Sequence, residues 1–227
     1  MYTTIKLKES INTNTWGVWI CGDLTWSKHV ESVCKRSQRL LGYIFRTFSA
    51  HCSPDSILHI YKSQVLPILD YACIVWDPHH KKDQLLLEKV QLFAAWIATK
   101  SWSQEQASLL TSLNLPSLMN RCSYLKLIFA FKILNNLVFC PFVPFTYHPQ
   151  PNLRISHNKQ LLQPFVRTVS FSSSYFISTV KLWNCLLSDI VACTSPSSFK
   201  CALKDLYLTW TCTSLRISVH FFLIPLY

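Results

Sequence analysis

Glycine is nearly absent, with three residues in a chain of 227. That scarcity excludes Gly-rich phosphate cradles and blade-repeat architectures, which need glycine at recurring positions. Charge is thin as well: 15% of residues are Asp, Glu, Lys or Arg, against about 25% in ordinary soluble domains. Half the residues are apolar, so low charge here means poor solubility rather than intrinsic disorder. Acids are the scarcest charge, 11 against 22 Lys and Arg, for a net +11. Such an excess points to a polyanion or an acidic surface as partner. No Asp-Asp or Asp-x-Asp occurs, and Asp23, Asp55, Asp70, Asp77, Asp83, Glu88 and Glu105 are scattered.

Ten cysteines are present, but no C-x-x-C and no Cys/His spacing of a zinc finger or knuckle. Cys34, Cys73, Cys122 and Cys201 stand alone in apolar runs and read as small buried hydrophobes. The opening MYTTIKLKESINTNTW has no apolar core and no small-residue cleavage site. The longest uncharged apolar stretch, 217–227, contains His220 and Pro225 and falls short of the ~20 residues a membrane span requires. The expectation is a reduced, intracellular, non-secreted protein with no membrane partner. At this length roughly 70% of the unfolded surface can be buried, enough for one large domain or two small ones.

Periodicity organises the chain. WGVWICG alternates between Gly17 and Gly22 and reads as a strand entering a turn. Asp23 or Thr25 is the expected cap of a first helix whose apolar residues, Trp26, Val30, Val33, Leu40, Leu41, Ile44, Phe45 and Phe48, recur at three- and four-residue steps. Ser53-Pro54-Asp55 opens SILHIYKSQVLPILDYACIVW, apolar nearly all round and therefore expected as a central buried helix that Pro67 kinks or splits. Asp83 is expected to cap DQLLLEKVQLFAAWIATK. A short helix then follows the 101–106 break, and a longer one runs from Ser117 to about Asn136. Pro141, Pro144, Pro149 and Pro151 mark 140–152 as a linker. Irregular or short-strand structure, helices near 174–187 and 196–208, and an uncharged, aggregation-prone tail complete the chain.

The first helix carries the most specific signal. At about 100° per residue, Lys28, Lys35, Arg39 and Arg46 fall within roughly 40° of one another, opposite the apolar set. They extend along about 27 Å of helix, eighteen steps of ~1.5 Å. Such a row can follow the phosphates of one nucleic-acid strand; it is equally the ordinary solvated side of an amphipathic helix. Other candidates are weaker. His79-His80-Lys81-Lys82 is a basic turn, Asp70 is an acid inside an apolar run that more often pairs at a helix turn, and His51-Cys52 are adjacent residues with nothing to orient the imidazole. The aromatics Trp26, Phe45, Phe48, Trp76, Phe93, Trp96, Phe129 and Phe131 lie at core spacing, which favours packing over base stacking.

WGVWICGDLTWSKHVESVCKRSQRLLGYIFR resembles the segment just after the palm in reverse transcriptases of non-LTR (LINE-type, jockey- and chicken-repeat-like) retrotransposons. There, a strand with Gly-Val leads into Asp-Leu-x-Trp-x-x-His and a thumb helix. The likeness continues through LPILDY, VWDP, LNLPSLMNRCSYLKLIFAFKILNN, QPFVRT and KLWNCL, in the family's order, and covers about residues 16–207. Trp16 stands where a smaller aliphatic residue is usual. Lys181 replaces a common Arg, and Cys185-Leu186-Leu187 replaces a Ser-Leu-Pro run.

The resemblance implies a mainly α fold: a helical thumb-like bundle with a short N-terminal strand or hairpin and a smaller mixed C-terminal region. The implied divisions are a palm-edge remnant over 1–22, a thumb-like region over 23–139, a C-terminal region over 140–207 and a tail of no assigned role over 208–227. Lys28, Lys35, Arg39 and Arg46 would face duplex phosphates, and Gly17 and Val18 would lie on the strand beside the primer. The family's palm, with its Ala-Asp-Asp turn, has no counterpart among these residues. The expectation is therefore a non-catalytic fragment without cofactor, since Mg²⁺ serves the intact polymerase. Its implied partner is RNA or an RNA–DNA duplex. The competing expectations are a helical module that docks on the missing palm and fingers or another protein through apolar surface, and a decayed reading frame with no selected function.

Overall fold

The computed structural model describes residues 13–23, 25–101, 106–140, 145–149 and 157–207. The apolar tail and much of the proline-rich 140–152 stretch lie outside the described residues. The fold is mainly α with one small N-terminal hairpin. The chain packs as two compact units, one through Gln106 and one from Ala107. That division falls inside the 23–139 stretch, at the Ser/Gln-rich break where apolar periodicity lapses.

In the first unit, β1 (Thr13–Thr15) pairs antiparallel with β2 (Val18–Ile20), Thr15 opposite Val18. This register leaves two residues, Trp16 and Gly17, to reverse the chain, at φ +54° and +78°. Two positive φ values define the tight hairpin turn whose twist suits the strands. Gly17 therefore belongs to the turn rather than to a strand, while Val18 opens β2 and is buried. Tyr71 Oη donates to the Trp16 carbonyl at 2.9 Å and fixes the turn.

α1 (Ser27–Phe48) buries Val30, Val33, Cys34, Ser37, Leu41 and Ile44. Neither Asp23 nor Thr25 caps it. Asp23 instead accepts from the Thr25 N–H and hydroxyl, closing its own local turn. Phe45, grouped with the apolar set by spacing, lies at the edge of the buried face and is 42% exposed. α2 (Pro54–Ile60) begins as expected, the Ser53 hydroxyl accepting from the Ser56 N–H and Pro54 in the first turn.

Beyond α2 the chain does not continue as one helix buried all round. A π turn over Tyr61–Val65 leads into α3 (Leu66–Asp70), and Ala72 at φ +53° separates that from α4 (Cys73–Trp76). Pro67 explains the wide turn: it has no N–H, its ring crowds the preceding turn, and the Leu66 N–H reaches back five residues to Tyr61 O. His59, Lys62, Ser63, Gln64 and Pro67 are exposed, so the run has one dry side.

α5 (Lys81–Thr99) supplies Leu87, Val90, Ala94, Ala95, Ile97 and Ala98 to the core. Asp83 is not its cap but its third residue, 4% exposed, accepting from Ser27 Oγ at 2.7 Å. One buried carboxylate thus faces the first turns of both α1 and α5, where helix dipoles favour negative charge.

In the second unit, α6 (Gln106–Ser112) precedes α7 (Leu118–Leu134), which Ser117 caps by accepting from the Asn120 N–H. α8 (Val169–Ser172), α9 (Tyr175–Asn184), α10 (Ser188–Val191) and α11 (Pro196–Tyr207) complete it. α7 packs on α9 and α11, with Phe131 and Phe199 stacked 4.2 Å apart. Asn184 clamps the Leu161 backbone at both ends, its Oδ1 accepting and its Nδ2 donating at 2.8 and 2.9 Å. Trp183 Nε1 donates to Lys159 O. These two side chains hold the backbone at Lys159 and Leu161, and Leu161 forms an antiparallel bridge with Tyr147. Cys201, expected in the core, is exposed; Cys34, Cys73 and Cys122 are buried.

A bulky L residue at positive φ costs on the order of 1 kcal/mol, which Asn tolerates better. Trp16→Asn is expected to stabilise the protein by about 0.5–1 kcal/mol, measured by thermal or denaturant unfolding.

Candidate nucleic-acid interface

α1 is continuous from Ser27 to Phe48, so the spacing 28, 35, 39, 46 places its four cations along one line, and all four side chains are exposed. They are not equivalent. Lys28 Nζ lies over the Trp19 ring, 4.4 Å from its centroid. Lys35 pairs with Glu31 at 3.8 Å, both well exposed, a geometry worth well under about 1 kcal/mol. Arg39 donates from Nε to the Lys35 carbonyl. Arg46 borders a shallow depression with Lys35, Gln38, Arg39 and Gly42. Gly42 lies in this depression, with the Arg46 guanidinium 3.5 Å from where its Cβ would stand. Glycine there costs about 0.5–1 kcal/mol of helix propensity relative to alanine.

Sequence spacing missed Arg36. It lies about 80° round the helix from the line, is exposed, and borders a cleft with Trp16, Gly17, His29 and Tyr71. Its charge was legible, but the cleft needs the hairpin turn and α3 to be placed. His29 was legible only as part of a motif. It is 2% exposed, its Nδ1 accepts the Trp19 N–H at 3.3 Å, and its ring meets Trp76 edge-on at 5.1 Å. That hydrogen bond docks β2 on α1, so Gly17 and Val18 are held close to the start of the cationic helix.

The other candidates stay apart from this surface. Asp70 ends α3, and His51 is exposed in the turn after α1. The His79 and His80 rings lie 4.0 Å apart, tilted by 40°, ahead of α5, with His79 held below the usual imidazole range first by burial and then by His80. Burial pushes the Cys34 thiol up to about 12, with Asp83 and Glu31 adding to the effect, so it is no nucleophile near neutrality. Among the described residues no three His, Cys, Asp or Glu side chains gather as a metal site, and no helix is long and apolar enough to cross a membrane.

No family model matches the chain, and neither a curated protein nor a solved structure matches it.

Burial holds the His29 imidazole below its ordinary value of 6.5. The unfolded chain therefore takes up a proton that the folded form refuses. Stability is full above about pH 6.5 and falls as pH drops towards the folded-state value. His79 contributes in the same direction. His29→Gln is expected to flatten this pH dependence without abolishing it, measured as unfolding free energy across about pH 7 to 5.

Proposed function

We propose that this chain is a thumb and post-thumb region of the non-LTR retrotransposon reverse-transcriptase type, and that its activity is sequence-independent binding of an RNA–DNA or RNA duplex along α1. The single observation that carries the proposal is the exposed line of Lys28, Lys35, Arg39 and Arg46 on one helix, with Glu31 as its one ion-paired acid. Supporting it are the net charge of +11 and the hollow at Gly42, which gives a phosphate oxygen room between Lys35, Arg39 and Arg46. Backbone contacts of this kind position a duplex without reading its bases. Polymerisation is no part of the proposal, because the sequence has no Asp-Asp or Asp-x-Asp pair to hold divalent ions.

A second reading, a protein-docking module, draws on the second unit, where Phe139 and Phe165 are 90% and 84% exposed. Large exposed aromatics of this kind are a feature of protein interfaces.

Binding of a short RNA–DNA hybrid is expected to weaken linearly in log affinity with log salt. Lys35→Glu with Arg39→Glu lowers the salt slope by about two and affinity by tenfold or more, without sequence preference. Glu31→Gln, which frees Lys35, strengthens binding slightly. A salt-independent affinity, or one the double variant leaves unchanged, contradicts the nucleic-acid assignment and favours the docking module.

A further inference from the structure

Between the hairpin turn, α1 and α3 lies a cleft of about 440 Å³, within the range of small-ligand sites. Its wall on α1 presents Ser32 and Arg36, both exposed. His29 also lines it, and because its Nδ1 accepts the Trp19 N–H, the ring proton is on Nε2. That Nε2–H is closed to solvent and has no partner among the described residues, at a cost of about 1–3 kcal/mol. On the opposite lip stands Trp16, 87% exposed and at φ +54°. Its indole makes no ring contact among the described residues, and its conformation is one that tryptophan disfavours. Among the described residues neither packing nor turn chemistry accounts for a tryptophan there. A backbone outlier of this sort, pinned through its carbonyl by Tyr71, is the kind of strain that binding sites retain.

We propose that this cleft holds a single unpaired nucleotide, its base against the Trp16 indole and its phosphate on Arg36 and Ser32. An exposed flat ring stacks a base of any identity, and a guanidinium and a hydroxyl suit a phosphate. Ser32 and Arg36 lie about 40° and 80° round α1 from the cationic line. A strand followed by that line therefore has its next unpaired nucleotide within reach of the cleft. In this placement the site deepens the duplex-binding proposal and rests on it; the mononucleotide affinity itself does not.

The test is calorimetric or NMR titration of the full chain with adenosine 5′-monophosphate, ribose 5-phosphate and inorganic phosphate. The nucleotide is expected to bind about tenfold more tightly than ribose 5-phosphate, as one stacked base provides, with phosphate weakest. Trp16→Asn, which the turn favours, is expected to erase the preference for the base while raising thermal stability. Arg36→Gln weakens the nucleotide and the sugar phosphate alike, by about tenfold. Equal affinity for all three ligands leaves an anion site only and overturns the proposal. So does a base preference that survives Trp16→Asn, or an Arg36→Gln protein that binds as well as the parent. Failure of the duplex proposal has a separate signature, a hybrid affinity indifferent to salt and to the Lys35 and Arg39 reversals.

Discussion

α1 is held from one side by α5, α3, the π turn and β2, and this one-sided burial decides where its charges go. Each aliphatic side chain removed from water there, such as Leu41 or Ile44 at 1% exposure, contributes roughly 1.5–3 kcal/mol. Rotating the helix to hide a lysine would instead cost several kcal/mol for an unpaired buried ion. The two terms act together, and both exceed anything the ion pairs supply. Lys35 and Glu31, solvated and 3.8 Å apart, do not orient the helix. The cationic line follows from the apolar face by exclusion.

Long helices were readable from sequence. α1, α5 and α7 were anticipated, as were the Ser53 and Ser117 caps, because the serine-then-helix pattern reflects a local hydrogen bond. Long-range partners were not. Asp83 resembled a cap, yet its hydroxyl partner, Ser27, is 56 residues away. The π turn escaped because the run around Pro67 is apolar enough to mimic a fully buried helix. Its exposed residues occupy one side only once the backbone has been widened. Trp16 was noted as unusual for its position, but its positive φ emerges only when the strand register is known.

The two units solve the same problem differently. The first ties down its irregular part, the hairpin, through two single bonds: the Trp19 N–H donates to His29 of α1, and Tyr71, just after α3, donates to the Trp16 carbonyl. The second binds its irregular segment with the Trp183-Asn184 pair at the end of α9. It also buries Lys126 at 2% exposure with its amine on the Ser178 hydroxyl. Lys126 and the cations of α1 thus have different fates. Lys126 is fixed between helices as a structural group, whereas those of α1 remain solvated and available. A count of Lys and Arg cannot separate them, and the helical face can.

Lysine-selective acetylation read by mass spectrometry, with and without an RNA–DNA hybrid at low salt, tests that distinction most directly. Lys28 and Lys35 are expected to be protected together, while Lys62 and Lys89, exposed on other elements of the same unit, react as before. Uniform protection, or none on α1, would contradict the assignment of this helix as the binding surface.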